Sequence, residues 1–229
     1  MDFDVKITDK NLIIYCSNNL EKFADEFKLY YYENIERIKK FFNINGNIEI
    51  IVALTDKTEE TNFVYEKSSF SGFFTDTGAY AYIDLNGDKS KEYMFKGLMH
   101  EITHHLYKYY VYGKEKERIV WVDEGLAQFL SKQKDDLQDD FIFEKFLIEN
   151  VKNSSDINLN ELNHNDKSFG NENGYNLSYI AIRYLYEKIG NKKFIEIIKD
   201  ENKLKQIGST IIKEISNSYN VENILDRKL

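Results

Sequence analysis

HEITHH, residues 100–105, contains His-Glu-x-x-His, and the reading of the whole chain works outward from it. A helix turns about 100° per residue, so His100 and His104 fall roughly 40° apart around the axis and about 6 Å apart along it. Both imidazoles can therefore reach one cation. Glu101 projects to the side of that face, where its carboxylate can meet a water on the same cation without being a ligand. Two imidazoles and a carboxylate at this spacing suit metal-dependent hydrolysis, with zinc as the metal.

The flanking residues support a helix. Over 91–110, Phe95, Leu98, Met99, Ile102, Leu106 and Tyr109 recur at helical spacing and form one apolar stripe. The histidines lie opposite it, at about 140° and 180° from Phe95, which turns them toward a polar surface or cleft. Gly97 sits one turn before His100. A glycine costs a helix roughly 1 kcal/mol relative to alanine, so the room it leaves should be used, either on the ligand face or for packing.

Two histidines and an open coordination position call for a third protein ligand. The segment WVDEGLAQFL, 121–130, is again amphipathic, with Ile119, Val122, Leu126, Phe129 and Leu130 as its apolar stripe. Glu124 points away from that stripe, twenty positions after His104. Two consecutive helices joined near Gly113 would lie side by side and bring Glu124 to the histidines.

With both segments in register, the chain resembles the gluzincins, metallopeptidases with an HExxH helix and a glutamate ligand on the next helix. Nineteen residues separate His104 from Glu124, the spacing of the thermolysin-like members and one more than in the aminopeptidase-like members. The likeness is confined to roughly 91–130. It implies His100, His104 and Glu124 as ligands to one Zn2+ per chain, Glu101 as general base, and a peptide or protein as substrate. Related enzymes place a carboxylate that orients a ligand histidine one turn after the glutamate; Gln128 stands there, and Asp123 is the alternative. His105 is turned away from His104 and reads as a surface or packing residue. The oxyanion donor implied by the resemblance is Tyr175, with Tyr179 one turn later and His164, alone in a polar loop, as the other candidates. The exopeptidase motif of aminopeptidase relatives is missing. The competing reading is a noncatalytic, metal-stabilised binding or scaffold protein, against which Glu101 argues, since structural zinc needs no base.

The fold class expected is α+β: an N-terminal mixed sheet with packed helices, the HExxH helix at a cleft, and a C-terminal helical lobe. The two parts are 1–110 and 111–229. Strand signals cover 11–17 and 48–54, with a long amphipathic helix over 20–42 between them and a short helix at 55–65. Residues 70–75 and 79–85 flank Asp76-Thr77-Gly78 as a hairpin, closed by Asn86-Gly87-Asp88. Such folds place the sheet's edge strand just before the metal helix, so Gly78, Ala79, Tyr80 and Ala81 are the residues expected to hold an extended substrate by strand addition, or else to pair within the sheet. Helices follow over 139–151, 175–189, 192–201 and 203–219, with a polar loop at 153–173. The acidic pairs Asp135-Asp136 and Asp139-Asp140 read as a solvated helix start, with calcium binding as the alternative.

Composition bounds the rest. With 229 residues, 42% of them hydrophobic, the chain can bury a sizeable core. A formal charge of −8 argues against a nucleic-acid partner. No run approaches a transmembrane helix in length, so no membrane association is expected. The opening Met1-Asp2-Phe3-Asp4 lacks a secretion signal's basic and then apolar pattern, and the expected location is cytoplasmic, or secreted if a leader has been trimmed. The single cysteine, Cys16, excludes an internal disulfide and alternates within a strand as a packing residue.

Overall fold

A computed structural model describes residues 3–57, 69–165 and 167–219. The chain forms two compact units, Met1–Val111 and Tyr112–Leu229. The first holds a five-stranded mixed sheet in the order β1-β2-β3-β5-β4. Its strands are β1 (Val5–Asp9), β2 (Leu12–Cys16), β3 (Ile50–Thr55), β4 (Phe70–Phe74) and β5 (Gly78–Ile83). β2, β3 and β5 run parallel, while β1 and β4 pair antiparallel at the two sides.

The period-2 pattern of the strands sets the layering. Leu12, Ile14, Cys16, Ile50, Val52 and Leu54 are buried, whereas Ile13, Tyr15, Ile51 and Ala53 between them are only half-buried. The buried face is covered by α1 (Glu21–Phe42) and α2 (Lys91–Leu106), whose aromatic residues Phe23, Phe27, Tyr30 and Phe95 interlock at ring distances of 5.0–5.7 Å. Cys16 lies in this core, and burial, with Glu21, Asp25 and Asp4 nearby, pushes its thiol pKa up to about 11. It is a packing residue, as its alternation predicts.

The sheet differs from the sequence reading in two places. That reading omits β1, although Val5-Lys6-Ile7-Thr8 alternates; the Lys10-Asn11 turn, with Lys10 in the left-handed region (φ 47°), folds it back on β2. β5 is not the edge strand. It is buried along its whole length, pairing Ile51↔Gly78, Val52↔Ala79, Ala53↔Tyr80 and Leu54↔Ala81 with β3, and Phe74↔Ala79, Phe73↔Tyr80 and Gly72↔Ala81 with β4. Among the described residues, β4 is the edge on that side. The predicted short helix at 55–65 lies, from residue 58 on, outside the described residues, and Thr55 closes β3.

The second unit is helical: α3 (Val120–Ser131), α4 (Asp140–Val151), α5 (Ser168–Asn171), α6 (Gly174–Ile197), α7 (Glu201–Gly208) and α8 (Ile211–Ser218). Asp139 caps α4 by accepting from the Phe141 and Ile142 N–H groups, and Asp140 pairs with Arg183 at 3.0 Å, so these two acidic residues serve a helix start. Gly190 (φ 72°) kinks α6 where the sequence predicts a break, and a turn at 209–210 splits the predicted 203–219 helix. Among the described residues no helix is long and apolar enough to cross a membrane.

α3 and α6 cross at Gly125. A Cβ there would stand 2.5 Å from the Ser178 carbonyl oxygen and 2.5 Å from Ile182 Cγ1, closer than atoms pack. Helix propensity alone makes Gly125→Ala stabilising by about 1 kcal/mol. The crossing reverses the sign: urea unfolding is expected to show a net loss of about 1–3 kcal/mol, and a gain would disprove the close approach.

Candidate metal centre

α2 starts where Ser90 accepts from the Tyr93 N–H at 3.2 Å. It does not turn its histidines toward solvent. Met94, Phe95, Gly97, Leu98, Met99, Ile102 and Leu106 are buried, and so are His100 and His104, at 8% and 2% exposure. The stripe is one side of a helix enclosed on nearly every side. The two histidine Nε2 atoms approach to 2.9 Å, the convergence that the i, i+4 spacing predicts. Past Leu106 the chain widens into a π-helical stretch, Tyr107–Tyr112.

β4 fixes the helix beside these rings. The room left by Gly97 is filled by Phe70, whose ring carbon Cε1 lies 2.6 Å from where a Cβ would sit, so packing is the reason for that glycine. Two residues on from Phe70, Gly72 lets the Glu101 side chain lie across the strand, with Glu101 Cγ 3.1 Å from the position of a Cβ. Phe74 sets its ring 5.3 Å from that of His104. His105 is buried and is no surface residue. Its Nδ1–H donates to the Thr75 carbonyl at 2.9 Å, tying the hairpin end to α2. Burial pushes its imidazole below the usual range, against the opposing pull of that bond and of Asp76.

In the helical unit, Glu124 and Asp123 are buried on α3, both held by Arg118 from the preceding turn. Arg118 Nη2 donates to Glu124 Oε1 at 2.7 Å and its Nε donates to Asp123. Burial opposes the guanidinium charge, but Asp123 and Glu124 outweigh it and raise its pKa above the ordinary value. His164 also reaches Glu124, with Nε2 3.1 Å from Oε1. His100 and His104 offer imidazole nitrogens and Glu124 a carboxylate, all three are buried, and together they could hold a metal ion. Two imidazole nitrogens and one carboxylate are a catalytic zinc set. Two nitrogens at ordinary Zn–N distances in a tetrahedron stand about 3.3 Å apart, close to the 2.9 Å found here.

Residues 76–223, more than half of the chain, match the collagenase peptidase family, M9. The chain belongs to that family. M9 collagenases are zinc metallopeptidases of the gluzincin type, hydrolases whose substrates are proteins or peptides. No curated protein matches the chain.

For this M9 chain the remaining candidates separate cleanly. Gln128 is engaged within the helical unit: its Nε2 donates to the Tyr175 carbonyl at 2.9 Å and the Glu124 carbonyl at 3.3 Å, tying α3 to the start of α6. Asp123 is engaged by Arg118. Tyr179 is 1% exposed among Phe129, Phe143 and Phe146, so it is core. Tyr175 is 44% exposed, its ring 5.8 Å from that of His164 and 4.9 Å from that of Phe169. Gly78, Ala79, Tyr80 and Ala81 cannot take a substrate strand, because β3 and β4 flank them on both sides. The hairpin was legible, but which arm lies outside was not. Arg118 and His164 are the residues that sequence reasoning undervalued; an isolated arginine ahead of a helix and a loop histidine have no spacing to announce them. Replacing Gln128 by Met, which keeps the volume and removes both bonds, should cost about 1–2 kcal/mol in unfolding experiments with zinc affinity within about twofold. A drop of 10- to 100-fold in affinity, the usual effect of losing a ligand's orienting partner, would restore the orienting role.

Proposed function

We propose that the chain hydrolyses peptide bonds with zinc held by His100, His104 and Glu124 and with Glu101 as general base. The observation that carries this is a set of three buried ligand groups of the zinc type in a member of the M9 collagenase family. When bound, zinc supplies Lewis-acid polarisation of the scissile carbonyl and acidifies water in its open position. Glu101 accepts a proton from the attacking water and passes it to the leaving amine. Tyr175 donates its phenolic hydrogen bond to the carbonyl oxygen as negative charge builds there; its exposure beside His164 supports this over Tyr179.

Substrate docking moves to β4. In the β4–β5 pairing, Ser69 bonds Asp84 and Thr75 bonds Gly78, which makes Ser71 and Phe73 the hydrogen-bonded partners between them. The N–H and C=O of Gly72 therefore point to the outer side of β4, where an added peptide strand would meet them. Glu101 lies across Gly72, so a strand added there passes beside the general base.

Two experiments test the assignment. Glu101→Gln keeps shape but loses the proton acceptor, so hydrolysis of a mixed peptide library should fall by roughly 10²–10⁴-fold while bound zinc, measured by elemental analysis, stays at about one per chain. Loss of zinc in that variant would reverse the roles, because metal release is the expected result for Glu124→Ala. Tyr175→Phe should lower kcat by roughly 10–10³-fold with little change in KM, and Tyr179→Phe should leave kcat unchanged. If Tyr179→Phe is the variant that loses kcat, the oxyanion donor has been misplaced.

A further inference from the structure

Two side chains from separate segments end on one oxygen of Glu124. Arg118 reaches along the first turn of α3 and gives Nη2–H to Oε1 at 2.7 Å. His164, forty positions further along, gives Nε2–H to the same Oε1 at 3.1 Å. The Glu124 side chain is 6% exposed, while those of Arg118 and His164 are about a third exposed, at 31% and 33%. A carboxylate oxygen has two lone pairs, and two donors occupy those of Oε1. We infer that Arg118 and His164 are positioning residues that hold Glu124 as a one-oxygen ligand, acting through Oε2, and thereby set the affinity of the chain for its metal. This rests on the reading of Glu124 as a ligand.

The geometry gives each residue a distinct part. The Arg118 guanidinium is a planar fork that engages Asp123 through Nε and Glu124 through Nη2, so one cation balances both buried carboxylates and fixes their relative orientation. His164 approaches from the segment ahead of α5, its ring packed 4.6 Å from that of Phe169. It closes off the remaining rotation of the Glu124 carboxylate. A carboxylate held in this way loses less freedom when it binds a cation than a mobile one does, and its second oxygen is kept from competing for the metal.

Zinc affinity of metal-depleted protein, measured by competition with a chromophoric chelator, tests the inference without reference to peptidase activity. The variants are His164→Ala, His164→Gln, Arg118→Lys and Glu124→Ala. Removing the Arg118 charge altogether would leave two buried carboxylates uncompensated and threaten folding, so lysine, which keeps the charge but not the fork, replaces it. His164→Ala and Arg118→Lys should each weaken zinc binding by about 10- to 100-fold. His164→Gln, which restores a donor, should recover affinity to within about threefold of the parent, and the visible spectrum of cobalt-loaded protein should shift in His164→Ala but not in His164→Gln. Melting of the metal-free protein should be the same for the two His164 variants. Affinity within about twofold of the parent in either His164→Ala or Arg118→Lys, with Glu124→Ala losing metal, overturns the shared hold and leaves Glu124 a ligand. Undiminished affinity in Glu124→Ala removes the ligand reading itself.

Discussion

Two imidazole nitrogens 2.9 Å apart on a buried face of α2 are the constraint around which the first unit is built. If both lone pairs faced each other with nothing between them they would repel, and burial removes the water that would screen them. A shared proton or a cation resolves that conflict. The neighbours hold the arrangement rather than relieve it. Phe70 fills the notch of Gly97, Phe74 lies against His104, and Phe95 anchors the opposite side of α2 to α1. Rings packed this closely have few other rotamers open to them, so the approach of the two nitrogens is built in before any ion arrives.

The strand beside α2 is shaped by the same requirement. Gly72 is small because Glu101 needs its space, and Ala79 and Ala81 continue the small residues across β5 on the face that α2 covers. Placing β5 inside and β4 outside leaves Gly72, and Phe70 and Phe74 on either side of it, rather than Gly78 or Ala79, with backbone groups directed away from the sheet. His105 completes this side of the unit, because its bond to Thr75 pins the hairpin end to the helix that carries the two other histidines.

Charge follows a parallel logic in the helical unit. Burying Asp123 and Glu124 side by side would drive at least one carboxylate toward its neutral form unless a cation faced both. Arg118 supplies it, and the cost of burying the two carboxylates is offset by hydrogen bonds that also fix direction.

The sequence by itself determined what repeats over one helical turn or one strand pleat. The His100/Glu101/His104 spacing, the helices over 20–42 and 121–130, the strands at 11–17 and 48–54, the hairpin and the break at Gly190 are all patterns between residues a few positions apart, and such neighbours are set by local backbone geometry. Tertiary structure alone decided which hairpin arm would be the edge, that Phe70 rather than a ligand would use the space at Gly97, that Gln128 would bond the Tyr175 carbonyl, and that Tyr175 would be exposed while Tyr179 is buried. It also decided that Arg118 and His164 would meet on Glu124. Each of these joins residues from different elements or loops, and their meeting depends on how strands order and helices cross. No periodicity records that choice, because it is made by packing and charge compensation after the local elements exist.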